Sequence, residues 1–152
     1  MKVDMTKIMT IAVIIAILFY LCTFAILLIP WYEREDPMRL VNKEKIYKPG
    51  DAVKLEFSRK SLINMQARIS RELVRIHEDS TEEVWTVNLN TSVNKGKDLI
   101  KLQYFIPSLD QCPVMRSNTY KWRGTIVYRP LGLIEKTVSF ETEPFQIEVP
   151  DG

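Results

Sequence analysis

The chain has 152 residues, with 21 Lys and Arg against 19 Asp and Glu and a formal net charge of +2. The balance excludes a nucleic-acid binder of the usual kind, which carries a clustered basic excess. One histidine and two cysteines exclude a metal site built from those residue types, and once a long apolar segment is set aside the length allows one small domain.

Residues 1–7 form a short tail with Lys2 and Lys7 against Asp4. Ile8–Ile29 is then one apolar run without charge, proline or glycine. As a helix it would extend roughly 33 Å, enough to cross a hydrocarbon core of about 30 Å. A cleaved signal peptide would have a shorter apolar region and small residues after it, whereas Ile29-Pro30-Trp31-Tyr32 follows here. The expectation is an uncleaved single-pass transmembrane anchor that contacts membrane lipid. Pro30 ends the helix, and Trp31 and Tyr32 are expected as membrane-interface residues at headgroup level. A Lys/Arg count favours the C-terminal flank as cytoplasmic, and the immediate flanks favour the opposite. Because long domains translocate largely regardless of such counts, the expected arrangement is N-terminus inside, in the inner (cytoplasmic) membrane, with the following domain outside the cytoplasm.

Residues 30–47 are charged, contain Pro37, and read as a juxtamembrane connector. Residues 48–152 read as the folded domain. Lys48-Pro49-Gly50-Asp51 predicts a turn, since proline presets φ at the second position and glycine accepts positive φ at the third. Val53, Leu55 and Phe57 then alternate with Lys54, Glu56 and Ser58, as a strand requires. Leu62–His77 is ambiguous. Leu62, Met65, Ile69, Leu73 and Ile76 fall at helical spacing, but Ile63, Met65, Ala67 and Ile69 also alternate. Val74 and Ile76 continue that alternation after a phase slip that a bulge would absorb. The surrounding strands favour the strand reading.

Trp85, Val87 and Leu89 mark the next strand, and Asn94–Lys97 a turn. Ile100, Leu102, Tyr104 and Ile106 alternate after it. Thr119–Tyr128 is the clearest strand, with Tyr120, Trp122, Gly124, Ile126 and Tyr128 on one face. Arg129–Gly132 suits a type I turn. Ile134, Val138 and Phe140 lie on one face of the last strand, and Phe145, Ile147 and Val149 follow a phase change at Pro144. The predicted fold class is therefore mainly β: an N-terminal transmembrane helix, then an immunoglobulin-like β-sandwich, with a closed barrel as the alternative.

Few residues offer chemistry. His77 is alone beside the Glu78-Asp79 turn with no nucleophile elbow, and no phosphate loop or spaced acidic metal loop is present. No catalytic residue, cofactor or metal ligand is assigned, and the chain is not expected to be an enzyme. Asn90-Thr91-Ser92 matches a glycosylation tripeptide, a pattern common by chance. Lys121, Arg123 and Arg129 read as a solvated strand face. Cys112 has no cysteine partner within the domain. The candidate partner-binding segment is Pro107–Asn118, a proline-stiffened loop carrying Leu109, Cys112, Val114 and Met115. The same apolar groups would alternatively fold back as a cap on the open end of the sandwich.

The stretch from Ile106-Pro107 through Asn118-Thr119-Tyr120-Lys121-Trp122-Arg123-Gly124 to Phe140-Glu141-Thr142-Glu143-Pro144-Phe145-Gln146-Ile147 resembles small immunoglobulin-like domains of membrane-anchored tailed-bacteriophage proteins. The resemblance covers the C-terminal third of the chain. It implies the fold and a phage setting, and carries no catalytic residues. The functional expectation is a non-enzymatic, membrane-anchored module that binds a protein partner at the cell envelope, in phage genome delivery, superinfection exclusion or lysis. The alternative is a structural subunit of an envelope or virion-associated assembly, self-associating through the apolar strands near Pro144.

Overall fold

In the computed structural model, residues 5–150 are described. The tail residues 1–4 and the last two residues of the expected domain lie outside them. The chain divides into two compact units, residues 1–30 and 31–152.

The first unit contains α1 (Met5–Leu28), 24 residues long. Lys7 therefore belongs to the helix rather than to a tail. The helix is apolar on every side, and none of its residues is buried. Two of its hydroxyls are satisfied internally: Thr10 and Thr23 donate to the carbonyls of Thr6 and Phe19, both at 2.9 Å. By length and composition it could span a membrane, as an anchor or as a signal sequence.

The second unit is mainly β, with ten strands in two sheets. β1 (Tyr32–Arg34) and β2 (Arg39–Leu40) both pair antiparallel with β4 (Ala52–Ser61). The other edge of β4 carries β7 (Gly96–Phe105) along its whole length. The larger sheet runs β3 (Ile46–Tyr47), β10 (Phe145–Ile147), β8 (Asn118–Tyr128), β5 (Met65–Ile76), β6 (Thr81–Val93), with β9 (Lys136–Glu141) also on β8. β6 and β7 are edge strands of opposite sheets, joined through Asn94-Lys95.

Alternation accounts for the core. Val53, Leu55 and Phe57 of β4 and Tyr120, Trp122, Ile126 and Tyr128 of β8 are buried, as their period-two spacing requires. The two sheets meet across aromatic contacts, Tyr104 edge-on to Trp122 at 5.7 Å and Tyr32 to Tyr128 at 6.0 Å. Leu62–His77 forms a strand over most of its length. The expected slip is not absorbed within it: β5 pairs with β8 without a break, and Leu73 and Val74 are both buried on opposite faces. The bulge lies on β6, which inserts Val84 between the partners of Leu73 and Val74. Gly50 has φ 89 in the Lys48–Asp51 turn, closed by Asp51 N–H to Lys48 C=O at 3.0 Å.

Three expectations are corrected. Residues 30–47 are not a free connector: β1, β2 and β3 lie in this stretch and enter both sheets. Its charges are spent on distant backbone. Asp36 Oδ1 accepts from Glu141 N–H at 2.9 Å, and Glu35 Oε2 accepts from Ser58 N–H at 3.2 Å. The Arg129–Gly132 turn places Leu131 at φ 55, ψ 15, a left-handed third position that type I turns do not use. Of the strands near Pro144, β10 has both edges paired, between β3 and β8, and the outer edge of β9 is bonded by Asp36 at Glu141 and by Arg34 at Ser139.

Between β9 and β10 the ladder is irregular. Trp122 N–H donates to the Thr142 hydroxyl at 3.0 Å, and Thr142 N–H donates to Trp122 C=O at 2.8 Å. Met38 bridges alongside, donating to Glu141 C=O and accepting from Glu143 N–H, both at 2.9 Å. A side-chain oxygen thus replaces a carbonyl where the strand breaks phase at Pro144.

Candidate functional site

The Pro107–Asn118 loop is closed on itself. Gln111 and Cys112 N–H donate to Ser108 C=O at 3.0 and 2.9 Å, and Met115 N–H to Cys112 C=O at 3.2 Å. Tyr120, near the start of β8, reaches back to the loop: its hydroxyl donates to Arg116 C=O at 2.7 Å and accepts Arg116 N–H at 3.2 Å. Of the four candidate partner residues, Cys112 and Met115 are buried. Cys112 Sγ–H donates to Val84 C=O at 3.3 Å, at the bulge of β6, and burial raises the thiol pKa. Only Leu109 and Val114 face outward, 39% and 54% exposed. The buried Cys112 and Met115 support the cap reading of the loop.

Trp31 and Tyr32 are both buried. Trp31 C=O accepts from Leu62 N–H at 3.0 Å, and Tyr32 is in register with Ser61 of β4, which turns its ring between the sheets. Neither ring is placed as a headgroup anchor. The Lys121, Arg123 and Arg129 row is already paired within the chain, with Glu141 (2.6 Å), Glu72 (2.9 Å) and Glu135 (3.1 Å). His77 sits half-exposed at the β5–β6 turn, 3.3 Å from Glu82 Oε2. Among the described residues no cluster of His, Cys, Asp and Glu could hold a metal ion.

Two features do stand out. The first is the outer edge of β6. β5 is the strand that pairs with it, and Val84–Val93 contains no charge, proline or glycine. Proteins ordinarily blunt such an edge. β7 carries Lys97, Asp98 and Lys101, and β9 is capped by Asp36 and Arg34. β6 has neither protection from Trp85 onward.

The second is the space between the sheets, where Arg34 of β1, Arg59 of β4 and Arg71 of β5 lie on the apolar phase of their strands. Arg34 stacks on Phe140 at 4.4 Å and on Phe57 at 5.5 Å. Arg71 stacks on Tyr104 at 4.0 Å and Trp122 at 5.4 Å. A cavity of about 100 Å³ beside them is lined by Tyr32, Arg34, Arg59, Thr91 and Tyr104, among others. Burial raises the pKa of Tyr32 and Tyr104, so both phenols stay neutral, and burial lowers that of Arg34. Sequence reasoning missed these arginines although a signal existed. Arg59 continues the Val53-Leu55-Phe57 phase, and Arg71 lies between Ile69 and Leu73. A wider groove of about 800 Å³ follows β5, β8 and the Arg129–Gly132 turn on the surface.

No family model matches the chain, and neither does any curated protein. Among solved structures the chain is similar to Spo0M, a sporulation control protein from Bacillus subtilis, at 14% identity and TM-score 0.40 over 79% of this chain. It spans 50% of the Spo0M chain. It is also similar to the C-terminal domain of wzt, at 10% identity and TM-score 0.43, covering 82% of this chain and 81% of that one. Likeness at this level says nothing of what this chain binds.

Proposed function

We propose that the chain is a single-pass membrane protein whose immunoglobulin-like sandwich captures an extended segment of a partner protein on the open edge of β6. Several features support the sandwich reading. β9/β10–β8–β5–β6 follows the G-F-C-C′ order, β4 with β7 corresponds to the B–E pair, and β1–β3 act as a first strand split between the sheets. Tyr120, bonded back to Arg116 at the entrance to β8, has the geometry of a tyrosine corner.

The observation that carries the binding reading is the unprotected edge from Trp85 to Val93. Strand addition gives affinity through main-chain hydrogen bonds and specificity through alternate side chains. Trp85, Val87 and Leu89 are half-buried, while Thr86, Asn88 and Asn90 face solvent. The fitting partner segment thus alternates apolar and polar residues. Anchoring raises the effective concentration of the module towards a membrane or envelope partner. No catalytic step, cofactor or nucleic acid enters this reading. In the phage setting that the resemblance implies, the partner acts in genome delivery, exclusion or lysis.

The test is site-specific photocrosslinking of the full chain in its membrane. A photoreactive residue at Asn88 or Asn90 is expected to yield a discrete adduct that the same residue at Lys54 does not. Equal adducts at both sites, or none at β6, would remove the proposal. The outward orientation is checked with a membrane-impermeant maleimide on Lys97→Cys in a Cys112→Ser background. Labelling only after lysis would place the domain inside.

A second reading, a structural subunit whose copies pair, is favoured by one observation. Antiparallel self-pairing of β6 centred on Leu89 would set Trp85 opposite Val93 and Val87 opposite Thr91, with no like charges facing each other from Trp85 to Val93. Adducts of twice the chain mass would select it.

A further inference from the structure

Among the described residues, four buried side-chain polar atoms have no hydrogen-bond partner: Arg34 Nε, Arg59 Nε, Arg71 Nε and Trp122 Nε1. All four are donors, and all belong to the space between the sheets. An unpaired buried donor costs about 1–3 kcal/mol, more when charged, so native proteins seldom leave such groups together. The interior here is rich in donors and short of acceptors.

Counter-charge is also short. The Arg34 side chain is 3% exposed, and its nearest carboxylate, Asp36, stands 3.8 Å away and half-exposed. Arg34 Nη2 otherwise reaches Ser139 C=O at 3.4 Å. Arg59 has Asp98 at 3.7 Å, again half-exposed. Arg71 has aromatic faces and, among the described residues, no carboxylate within ion-pair distance. The buried tyrosines supply no charge, because burial keeps them protonated. Stacking holds the guanidinium of Arg34 by its faces and leaves its Nε–H without an acceptor.

We propose that the cavity between Arg34 and Arg59 binds a small free oxyanion of phosphate or sulfate type. The size fits: about 100 Å³ holds an ion of that class and little more. The cavity's lining includes the donors Arg34, Arg59, Tyr32 and Tyr104 and no carboxylate, and Arg34 Nε and Arg59 Nε are buried there without an acceptor. Part of the lining comes from Thr91 and Ser92 of β6 and Ile100 and Leu102 of β7. These are edge strands of opposite sheets, so the ion has a route between them. The inference is independent of strand addition on β6, which uses the outer edge of that strand and not the cavity.

The test uses the full chain in detergent micelles. Sodium sulfate and sodium phosphate are titrated against sodium chloride at matched ionic strength, with heat of binding and thermal midpoint as readouts. Sulfate stabilises proteins generally by exclusion from their surface, so only a saturable component counts. Wild type is expected to show saturable binding of at least one oxyanion and none of chloride. Arg59→Gln should weaken it about tenfold or more, the loss of one charge-assisted contact. Arg34→Met should abolish it. If Arg34→Met does not fold, Arg59→Gln alone decides, since its side chain lies nearer solvent. Absence of saturable binding at millimolar concentrations overturns the proposal. So does unchanged affinity in Arg59→Gln, which would make the arginines packing elements.

Discussion

Gly124 offers the sharpest test of how the sheets are fitted. It lies in the middle of β8, opposite Arg71 of β5 and Phe140 of β9, on the inward phase of the strand. A Cβ added there would stand 2.1 Å from Ser70 O, 2.8 Å from Arg71 Cα and 3.0 Å from Phe140 Cζ. Two of these are backbone atoms and cannot swing away. Relieving the first contact requires β5 and β8 to separate locally by about 1 Å, and overpacking of this kind costs about 1–3 kcal/mol. Two flanking ladder bonds, at about 1 kcal/mol each, weaken with it. Gly124→Ala should therefore destabilise by about 3–5 kcal/mol, a large part of the stability of a domain this size. The midpoint should fall by about 12–20 °C, followed by near-ultraviolet circular dichroism of the full chain in detergent. Gly132→Ala is the control. Gly132 has φ 72 and open space around it, so only backbone strain of about 1 kcal/mol applies. A Gly124→Ala midpoint within about 3 °C of wild type, or above that of Gly132→Ala, would refute the packing argument.

Thr142→Val leaves Trp122 N–H without its acceptor in a fully buried position and should cost about 1–3 kcal/mol in urea unfolding, with Thr142→Ser close to wild type. A loss in Thr142→Ser with Thr142→Val close to wild type would point to methyl packing instead. Cys112 should resist maleimide at neutral pH in the folded chain and react fully in denaturant, because its thiol is buried and bonded to Val84; rapid native labelling would contradict the placement of the loop. Acid should destabilise the domain. Backbone N–H groups of Ser58 and Lys48 hold Glu35 and Asp51 below the usual carboxylate range, and the Arg75 guanidinium does so for Glu82. At Glu143 burial pushes upward, but Lys43, Leu40 N–H and Arg39 together pull it lower. Folded values below unfolded ones mean that the folded state binds fewer protons. The stabilisation is complete above the unfolded carboxylate range and is lost as pH falls through the lowered folded values, so the midpoint should drop below about pH 4. A flat midpoint from pH 6 to pH 3 would remove these contacts from consideration.

What the sequence disclosed was whatever repeats at short range. β8 was readable because five inward residues recur at period two, and β5 as a strand because its apolar residues alternate, although the bulge proved to lie on its neighbour β6. The Lys48–Asp51 turn depends on two residues with restricted or permissive φ. The segment 30–47 was opaque for the opposite reason. Its strands have two or three residues, too few to show a period, and its acids bind backbone up to a hundred positions away. The candidate site divided along the same line. Leu109 and Cys112 look alike as apolar loop residues, and only tertiary structure turns one out and the other in. Arg59 and Arg71 carried a readable anomaly, a cation on an apolar phase, but their common cavity exists only once the sheets face each other.

The interlacing of residues 31–47 has a mechanical side. β1 is fastened to β4 in one sheet, Met38 to the Glu141–Glu143 crossing, and β3 to β10 in the other sheet. Tension entering at Trp31 would meet these attachments one after another before reaching the β5–β6 hairpin. Each rupture releases only the short stretch of chain up to the next attachment. The start of the domain is thus a clasp rather than a leash, and a pulled molecule should yield in small early steps that leave the aromatic core around Trp122 standing.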